Sequence, residues 1–238
     1  EDVIIATTTK DQDDVLVEVA QRLGLKYYRG SEQDVLDRVY QAAQHYGVEL
    51  IVRVTPDCPL LDPQVTDEVI DTYLAGKYNY ATNTPSCPDG LDVEVFSFKA
   101  LERAWQQAQL PSEREHVTDY ILNSGEFRTF NLVSPDDLSH FKWSIDTADD
   151  MAFVKAVYEK LQDKGDIFYL QDVLDTLKQY PELMRINEKS VPNQGYYKSI
   201  ASDPPIAAGK LEMSRRTQSS VGLTSSFPVS ERFPAAGQ

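Results

Sequence analysis

The most constraining feature of this 238-residue sequence is an apolar, β-branched run at residues 50–54 that stops abruptly at Pro56 and Asp57. Such a run is typical of a strand buried on both faces, and proline cannot continue a central strand. Asp57 therefore lies just past the carboxyl end of a buried strand, where open α/β sheets bind their ligands. A second predicted strand, residues 141–145, ends at Asp146 in the same way. We interpret Asp57 and Asp146 as a pair that holds a divalent metal.

Strands and helices alternate along the first 81 residues. Apolar residues at helical spacing predict helices over residues 11–23, 35–46 and 65–74. Short apolar runs predict strands at 3–6, 26–29 and 78–81, on either side of the run at 50–54. This alternation is typical of an α/β protein, in which helices cover both faces of a parallel sheet. Residues 91–96 alternate between apolar and charged side chains, which predicts a half-exposed strand.

Length and composition indicate one globular domain at residues 1–187. Beyond residue 187 the sequence is rich in Pro, Ser, Gly and Ala without periodicity, so residues 188–238 are predicted to be a linker or disordered tail. The net charge of −15 argues against a nucleic-acid partner. It does not argue against a small anionic ligand, because a few cations can form a local positive pocket. Two cysteines are too few for a disulfide framework.

No apolar run is long enough to span a membrane, and no signal-peptide pattern opens the sequence. We therefore expect a soluble, cytoplasmic protein that has no membrane partner.

Each aspartate of the metal pair also has a structural alternative. Asp57 can cap the helix that begins near Pro63 or end a turn, and Asp146 can be an N-cap, because Asp-Thr is common at helix starts. Metal binding is favoured because both aspartates follow strands, and Mg²⁺ needs only one or two carboxylates besides substrate phosphates and waters. Cys58 is predicted to be a small packed residue, since nothing beside it would lower its pKa.

Seven further residues are candidates for substrate contacts: Asp37, Arg38, Asp89, Asp92, Glu94, Arg114 and His116. The three carboxylates of residues 89–94 lie at the mouth of a predicted loop, where charged groups are usually just solvated. Arg114 and His116 begin a helix, where they can form local charge pairs or meet an anionic or hydroxyl-rich ligand. Asp37 and Arg38, near the start of another helix, can be ordinary surface charges.

Five segments in a fixed order resemble one family, the cytidylyltransferases of the spore-coat polysaccharide type, which are relatives of acylneuraminate and KDO cytidylyltransferases. The segments are Arg-Gly-Ser-Glu-Gln-Asp-Val-Leu-Asp-Arg-Val-Tyr at 29–40, Arg-Val-Thr-Pro-Asp-Cys-Pro-Leu-Leu-Asp-Pro at 53–63, Pro-Asp-Gly-Leu-Asp-Val-Glu-Val-Phe at 88–96, Pro-Ser-Glu-Arg-Glu-His-Val-Thr at 111–118 and Trp-Ser-Ile-Asp at 143–146. The resemblance covers residues 1–187. Each segment alone is a weak signal, whereas five in the right order are specific.

The resemblance implies a three-layer α/β/α nucleotide-diphospho-sugar transferase fold with a mostly parallel sheet. It implies a reaction in which CTP is coupled to the hydroxyl of an acidic or modified sugar, giving a CMP-sugar and pyrophosphate. Asp57 matches the aspartate that binds Mg²⁺ in the family, and Asp146 matches its late partner. Asp37 and Arg38 match positions near the nucleotide, residues 89–94 and 113–116 would face the sugar, and a homodimer is the implied assembly.

One departure from the family pattern affects the site. The family opens with a strand and a loop bearing Gly, Arg and Lys that holds the triphosphate, and this sequence begins after that loop. We therefore expect a fragment whose sheet lacks its first strand.

Two other functions remain open. A glycosyltransferase of similar fold would need an Asp-x-Asp at a strand end, which Asp57-Cys58-Pro59 does not provide, and a non-catalytic binding or assembly module is favoured by the absence of the loop.

Overall fold

The structure, a computed structural model, describes residues 2–165 and 167–204. Its strands are β1 (Ile4–Thr8), β2 (Lys26–Gly30), β3 (Leu50–Arg53), β4 (Tyr80–Thr82), β5 (Glu94–Ser97) and β6 (Thr129–Asn131). Its α-helices are α1 (Asp14–Leu23), α2 (Val35–Tyr46), α3 (Pro63–Ala75), α4 (Phe98–Gln107), α5 (Pro111–Glu115), α6 (Asp119–Asn123), α7 (Ala148–Leu161), α8 (Leu170–Gln179) and α9 (Gln194–Ala201). Short 3₁₀ turns lie at Asp11–Asp13, Gln162–Lys164 and Pro181–Arg185. The predicted α/β class is confirmed.

The strands form two sheets, and the larger sheet is mixed. Strands β1 and β2 pair in parallel, whereas the larger sheet has the order β3-β5-β4-β6. Strand β5 runs antiparallel to both of its neighbours, and β4 pairs with β6 in parallel. Strands β3, β4 and β6 therefore run in one direction, as expected of the predicted mostly parallel sheet, and β5 is the reversed strand. The chain between β4 and β5 turns back without a crossover helix, as an antiparallel pair permits.

The segment before α7 also differs from its prediction. Residues 141–145, predicted to be a strand, form a single parallel bridge between Lys142 and Asp89.

Helices cover both faces of the larger sheet. On one face, Leu36 of α2, Leu101 of α4 and Ile121 of α6 pack with Tyr80 and Phe96. On the other face, buried residues of α3, β4, β5 and the position just before β5 form a second cluster, which contains Val69, Ala81, Val93 and Val95. Successive side chains of a strand point to opposite faces, so Glu94 shares the face of Phe96, which carries α2, α4 and α6. This arrangement is the predicted three-layer α/β/α fold.

A third apolar cluster fixes the segment that carries Asp146. Trp143, fully buried, packs with Leu60 and Leu91 from the loops after β3 and before β5. Phe153 of α7 and Val173 of α8 belong to the same cluster. The packing holds residues 141–146 against the carboxyl end of β3.

No helix among the described residues has the length and apolar character needed to span a membrane.

Part of the predicted tail is folded. Helix α9 falls within residues 188–238, for which the sequence predicts a linker or disordered tail, yet it docks on α5. The Asp203 carboxylate accepts hydrogen bonds from the backbone N–H of Ser112 at 3.0 Å and from its hydroxyl at 2.5 Å. The Ser199 hydroxyl donates to Glu115 at 2.6 Å. The remainder of the predicted tail, residues 205–238, lies outside the described residues.

Asp119 makes the stability of this region depend on pH. Burial raises the pKa of the Asp119 carboxyl to about 7, and the nearby charges of Glu94 and Glu113 act in the same direction. The pKa of Asp119 is higher in the folded than in the unfolded protein, so ionisation of this carboxyl destabilises the fold. The destabilisation is absent at low pH, where the carboxyl is protonated in both states, and is complete above the folded pKa. The free energy of unfolding of the wild type should therefore fall between about pH 5 and about pH 8. In Asp119→Asn we expect this fall to be smaller by about 1 kcal/mol or more.

Urea denaturation at the two pH values measures this difference. Asp136→Asn, at an exposed aspartate, is the matched control and should leave the difference as in the wild type. A difference unchanged by Asp119→Asn would contradict the assignment.

Candidate active site

Three segments that are distant in sequence converge at the carboxyl end of β3. The backbone N–H of Ile145 donates to the carbonyl of Asp57 at 2.9 Å. The N–H groups of Trp143 and Ser144 both donate to the carbonyl of Asp89, at 2.6 and 2.9 Å. The loop after β3, the loop before β5 and the segment before α7 therefore meet at one place, and each carries at least one of the predicted aspartates.

Gly90 allows this close approach. Its φ is +114°, and a Cβ atom there would lie 2.5 Å from the backbone N of Ser144 and 2.6 Å from the carbonyl carbon of Trp143. Both contacts are with backbone, which cannot move aside as a flexible side chain can. Only glycine therefore fits at this position.

Neither member of the predicted metal pair caps a helix. The cap of α3 is Asp62, whose carboxylate accepts from Gln64 N at 2.6 Å and from Val65 N at 3.2 Å. The cap of α7 is Thr147, whose side chain accepts from Asp150 N. The capping alternatives for Asp57 and Asp146 therefore do not apply, whereas Asp57 does lie in a turn, which was its other structural alternative.

The donor set fits a magnesium ion that also binds substrate phosphates. Asp57 is half-buried, and among the described residues its carboxylate accepts one hydrogen bond, a weak one from the Cys58 thiol at 3.6 Å. The Asp146 side chain is 52% exposed. No group of three or more Asp, Glu, His or Cys side chains in the described part of the chain could hold a metal ion. Two carboxylates are nevertheless enough where substrate phosphates and waters supply the other ligands. The assignment of the pair to Mg²⁺ stays a prediction.

Lys142 links two of the carboxylates and was missed by sequence reasoning. Its buried ammonium group lies 2.5 Å from Asp146 Oδ2, 3.4 Å from Asp89 Oδ2 and 2.5 Å from Ser144 Oγ. Although burial by itself lowers the pKa of Lys142, the hydrogen bond to Asp146 and the charges of both carboxylates raise it overall. The lysine is therefore charged and offsets their repulsion. The sequence feature that could have identified Lys142 as a site residue is its position inside a predicted buried strand, where a charged side chain is unusual.

Asp92 has the character of a proton acceptor. Its carboxylate accepts from the Thr84 hydroxyl at 2.9 Å and from Gly90 N at 3.3 Å. Burial raises the pKa of Asp92 to about 6, and the charges of Asp89 and Glu94 also act upward. A carboxylate with a pKa just below neutral is ionised at neutral pH yet basic enough for general-base chemistry. In contrast, burial raises the pKa of the Cys58 thiol to about 12, as expected for a packed residue that is not a nucleophile.

Glu94 has a structural role in the fold. It pairs with Arg53 across β3 and β5, and the two side chains form an ion pair. Its carboxylate also accepts from the Tyr80 hydroxyl at 2.7 Å and from the Thr118 hydroxyl. Glu94 therefore anchors Arg53 at the end of β3. Arg53 was not among the predicted site residues, although it lies four positions before Asp57.

Asp37 and Arg114 join three helices. The Asp37 carboxylate accepts from the indole N–H of Trp105 at 2.8 Å. The Arg114 guanidinium donates through Nε to both carboxylate oxygens of Asp34 at 3.0 Å, and through Nη1 to the Trp105 carbonyl at 2.9 Å. These contacts tie α2, α4 and α5 together. They give both residues a structural role, and substrate contacts at Asp37 and Arg114 stay a prediction.

Arg38 of α2 and His116, which follows α5, are both half-buried. Arg38 Nη1 donates to the Ser31 carbonyl at 2.7 Å. Arg38 Nε and His116 Nε2 are buried and have no hydrogen-bond partner in the described residues. The structure thus places the predicted residues in an aspartate site on the three converging segments (Asp57, Asp89, Asp92 and Asp146), at the helix junction (Asp37 and Arg114) and beside Arg53 (Glu94), while Arg38 and His116 share none of these contacts.

Comparison with known proteins identifies the family. The cytidylyltransferase family model matches residues 1–191, which include all of these segments. The chain belongs to the cytidylyltransferase family. A structure of a cytidylyltransferase from Leptospira borgpetersenii is 30% identical, with a TM-score of 0.73, over 79% of this chain and 80% of that one.

Two curated relatives extend the comparison. The spore coat polysaccharide biosynthesis protein SpsF of Bacillus subtilis is 30% identical over 178 residues, which are 70% of this chain and 71% of SpsF. An uncharacterized protein of Methanocaldococcus jannaschii is 38% identical over 192 residues, 79% of this chain and 77% of that protein. The resemblance inferred from the sequence is confirmed, and the chain is a CTP-using nucleotidyltransferase.

Proposed function

We propose that this protein is a Mg²⁺-dependent enzyme that couples CTP to a sugar hydroxyl and releases a CMP-sugar and pyrophosphate. The observation that carries the proposal is that the three segments bearing Asp57, Asp92 and Asp146 meet at one strand end in a chain of the cytidylyltransferase family. The name of SpsF, a protein of polysaccharide biosynthesis, supports a sugar as the acceptor.

The residues of the aspartate site fit the steps of this reaction. The sugar hydroxyl oxygen attacks the α-phosphorus of CTP, and the bond from that phosphorus to the bridging oxygen breaks as pyrophosphate leaves. Asp92 accepts the hydroxyl proton, for which its raised pKa suits it. Asp57 and Asp146 would hold Mg²⁺, which when bound to the phosphates neutralises their charge. Lys142 holds the Asp146 carboxylate in place.

Pyrophosphate release with CTP and a panel of acidic, amino and neutral sugars tests the proposal. We expect release that requires CTP, Mg²⁺ and one class of sugar, together with a CMP-sugar in the mass spectrum. ATP, GTP and UTP in place of CTP are the matched controls. CTP-dependent transfer to a non-sugar alcohol would contradict the proposed acceptor. Binding of CTP without any turnover would instead support the non-catalytic alternative.

The setting in which the protein works is also proposed from its chemistry. Both cysteines, Cys58 and Cys87, are buried free thiols, as expected of a protein kept in a reducing compartment. We propose a cytoplasmic enzyme, and the homodimer implied by the family resemblance stays a prediction for a sedimentation measurement.

A further inference from the structure

The chain leaves the core at Asn187 and then crosses to α5. Asn187 is buried, and its side-chain amide nitrogen donates to the Lys142 carbonyl at 2.9 Å and to Asp150 Oδ1 at 3.1 Å. None of residues 188–204 is buried, and none of them belongs to the three apolar clusters of the fold. We call residues 188–203, which include α9, the strap.

One part of the strap lies on the aspartate site. Asn193, at the start of α9, has φ +56°, and its backbone N–H donates to Asp89 Oδ2 at 2.8 Å. The same oxygen lies 3.4 Å from Lys142 Nζ, and the Ser144 hydroxyl donates to Asp89 Oδ1 at 3.0 Å. The Asp89 side chain is only 11% exposed. Both of its carboxylate oxygens are therefore occupied while the strap is docked.

The far end of the strap is fastened to α5. The Asp203 carboxylate accepts from both the backbone N–H and the hydroxyl of Ser112. Between the two ends, the Tyr196 ring meets the His116 ring edge-on, with 5.0 Å between their centroids. The strap thus spans the distance from the aspartate site to α5 and is held at both ends by hydrogen bonds.

Apolar packing contributes little to this docking. The large apolar side chains Tyr197 and Ile200 of α9 are 63% and 42% exposed. Hydrogen bonds at positions that water can reach add only modestly to stability, because water competes for the same groups. A segment with few buried apolar contacts opens locally at a lower free-energy cost than the core unfolds. Local opening of the strap is therefore expected while α7 and α8 stay packed.

We propose that the strap is an autoinhibitory gate that competes with the acceptor sugar for the Asp89 carboxylate. In the docked state the Asn193 N–H donates to the oxygen that a sugar hydroxyl, which is also a hydrogen-bond donor, would use. Opening frees that oxygen, while Ser144 and Lys142 keep the carboxylate in place. The apparent affinity for the acceptor is reduced by the fraction of molecules that are open. The inference rests on the proposed function, because the competing ligand is its acceptor.

Two substitutions in the full chain open the strap from different ends. Asn193→Pro removes the donating N–H, and proline cannot adopt a φ of +56°. Asp203→Ala removes the acceptor of both hydrogen bonds from Ser112. Lys198→Ala is the matched control, because the Lys198 ammonium group donates to Gln194 within the same helix. None of these residues is buried, so all three variants should unfold in urea as the wild type does.

Carbodiimide labelling of carboxylates, located by mass spectrometry, tests the gate without any substrate. We expect Asp89 to react about threefold or more faster in Asn193→Pro and in Asp203→Ala than in the wild type, because the open fraction rises. Lys198→Ala should react as the wild type does, and the exposed Asp136 is the internal reference. Labelling of Asp89 at the wild-type rate in both opened variants would show that the strap does not cover this carboxylate, and would overturn the proposal.

The Michaelis constants of the two substrates test the competition. We expect both opened variants to lower the KM of the sugar that supports turnover, from the acidic, amino and neutral panel, by about threefold or more, with the KM of CTP unchanged. An unchanged or higher acceptor KM would overturn the competition. Faster labelling of Asp89 in variants of a protein that turns over no sugar would contradict the proposed function and leave the cover over Asp89 standing. Turnover of a sugar with unchanged labelling would do the reverse.

Discussion

Replacing Asp57 by alanine is expected to lower the rate of pyrophosphate release from CTP by about a hundredfold to a thousandfold. The Asp57 carboxylate lies at the end of β3, does not cap α3 and accepts one weak hydrogen bond within the described residues. Its removal takes away a proposed magnesium ligand and no strong contact that holds the fold. We therefore expect normal unfolding by urea together with the loss of turnover.

The double variant distinguishes a shared metal from two separate roles. If Asp57 and Asp146 hold the same ion, Asp146→Ala should cost about as much as Asp57→Ala, and the double variant should lose little more than either. Asp71→Ala, at an exposed aspartate of α3, is the matched control. Undiminished turnover in Asp57→Ala would remove the metal assignment.

Replacing Glu94 by alanine is expected to destabilise the protein by about 3–5 kcal/mol. The Glu94 side chain is 12% exposed and is the ion-pair partner of Arg53. It also accepts from the hydroxyls of Tyr80 and Thr118. Its loss leaves a largely buried guanidinium uncompensated and two buried hydroxyls without their acceptor, which costs far more than the loss of a surface charge.

The chain contains a close counterpart for comparison. Glu126 also pairs with an arginine, Arg103, and accepts from a tyrosine hydroxyl, that of Tyr120, but its side chain is 41% exposed. Glu126→Ala should cost only about 0–1 kcal/mol. Urea denaturation of both variants measures the contrast. Equal losses of unfolding free energy would show that burial of the Glu94 pair contributes little.

Local patterns predicted the framework of the fold. The helices over residues 11–23, 35–46 and 65–74 and the strand that ends before Asp57 follow from hydrophobic periodicity and proline placement, and the structure confirms them. These features depend on residues within a few positions of each other. The direction of β5 was beyond such reasoning, because an alternating pattern does not specify which strands lie beside it or in which direction.

Long-range pairs account for most of what sequence reasoning missed in the site. Lys142 meets Asp89 from 53 residues away, and Arg114 meets Asp34 from 80 residues away. No local period encodes such contacts. For the same reason Arg114 was predicted only as a local pair or a ligand contact, whereas the structure places it at a helix junction.

Helix α9 was missed for a related reason. Its sequence has no sustained periodicity, and its position depends on tertiary contacts, including those of Asp203 with Ser112.

Calorimetric titration of CTP in the presence of Mg²⁺ tests the central claim most directly. The same titration with ATP, and with CTP in the absence of Mg²⁺, provides the two controls. Selective binding of CTP that depends on Mg²⁺, and that is lost in Asp57→Ala, is the predicted result. Binding of ATP as tight as that of CTP, or CTP binding that is indifferent to both Mg²⁺ and Asp57, would contradict a metal-dependent cytidylyltransferase site at the end of β3.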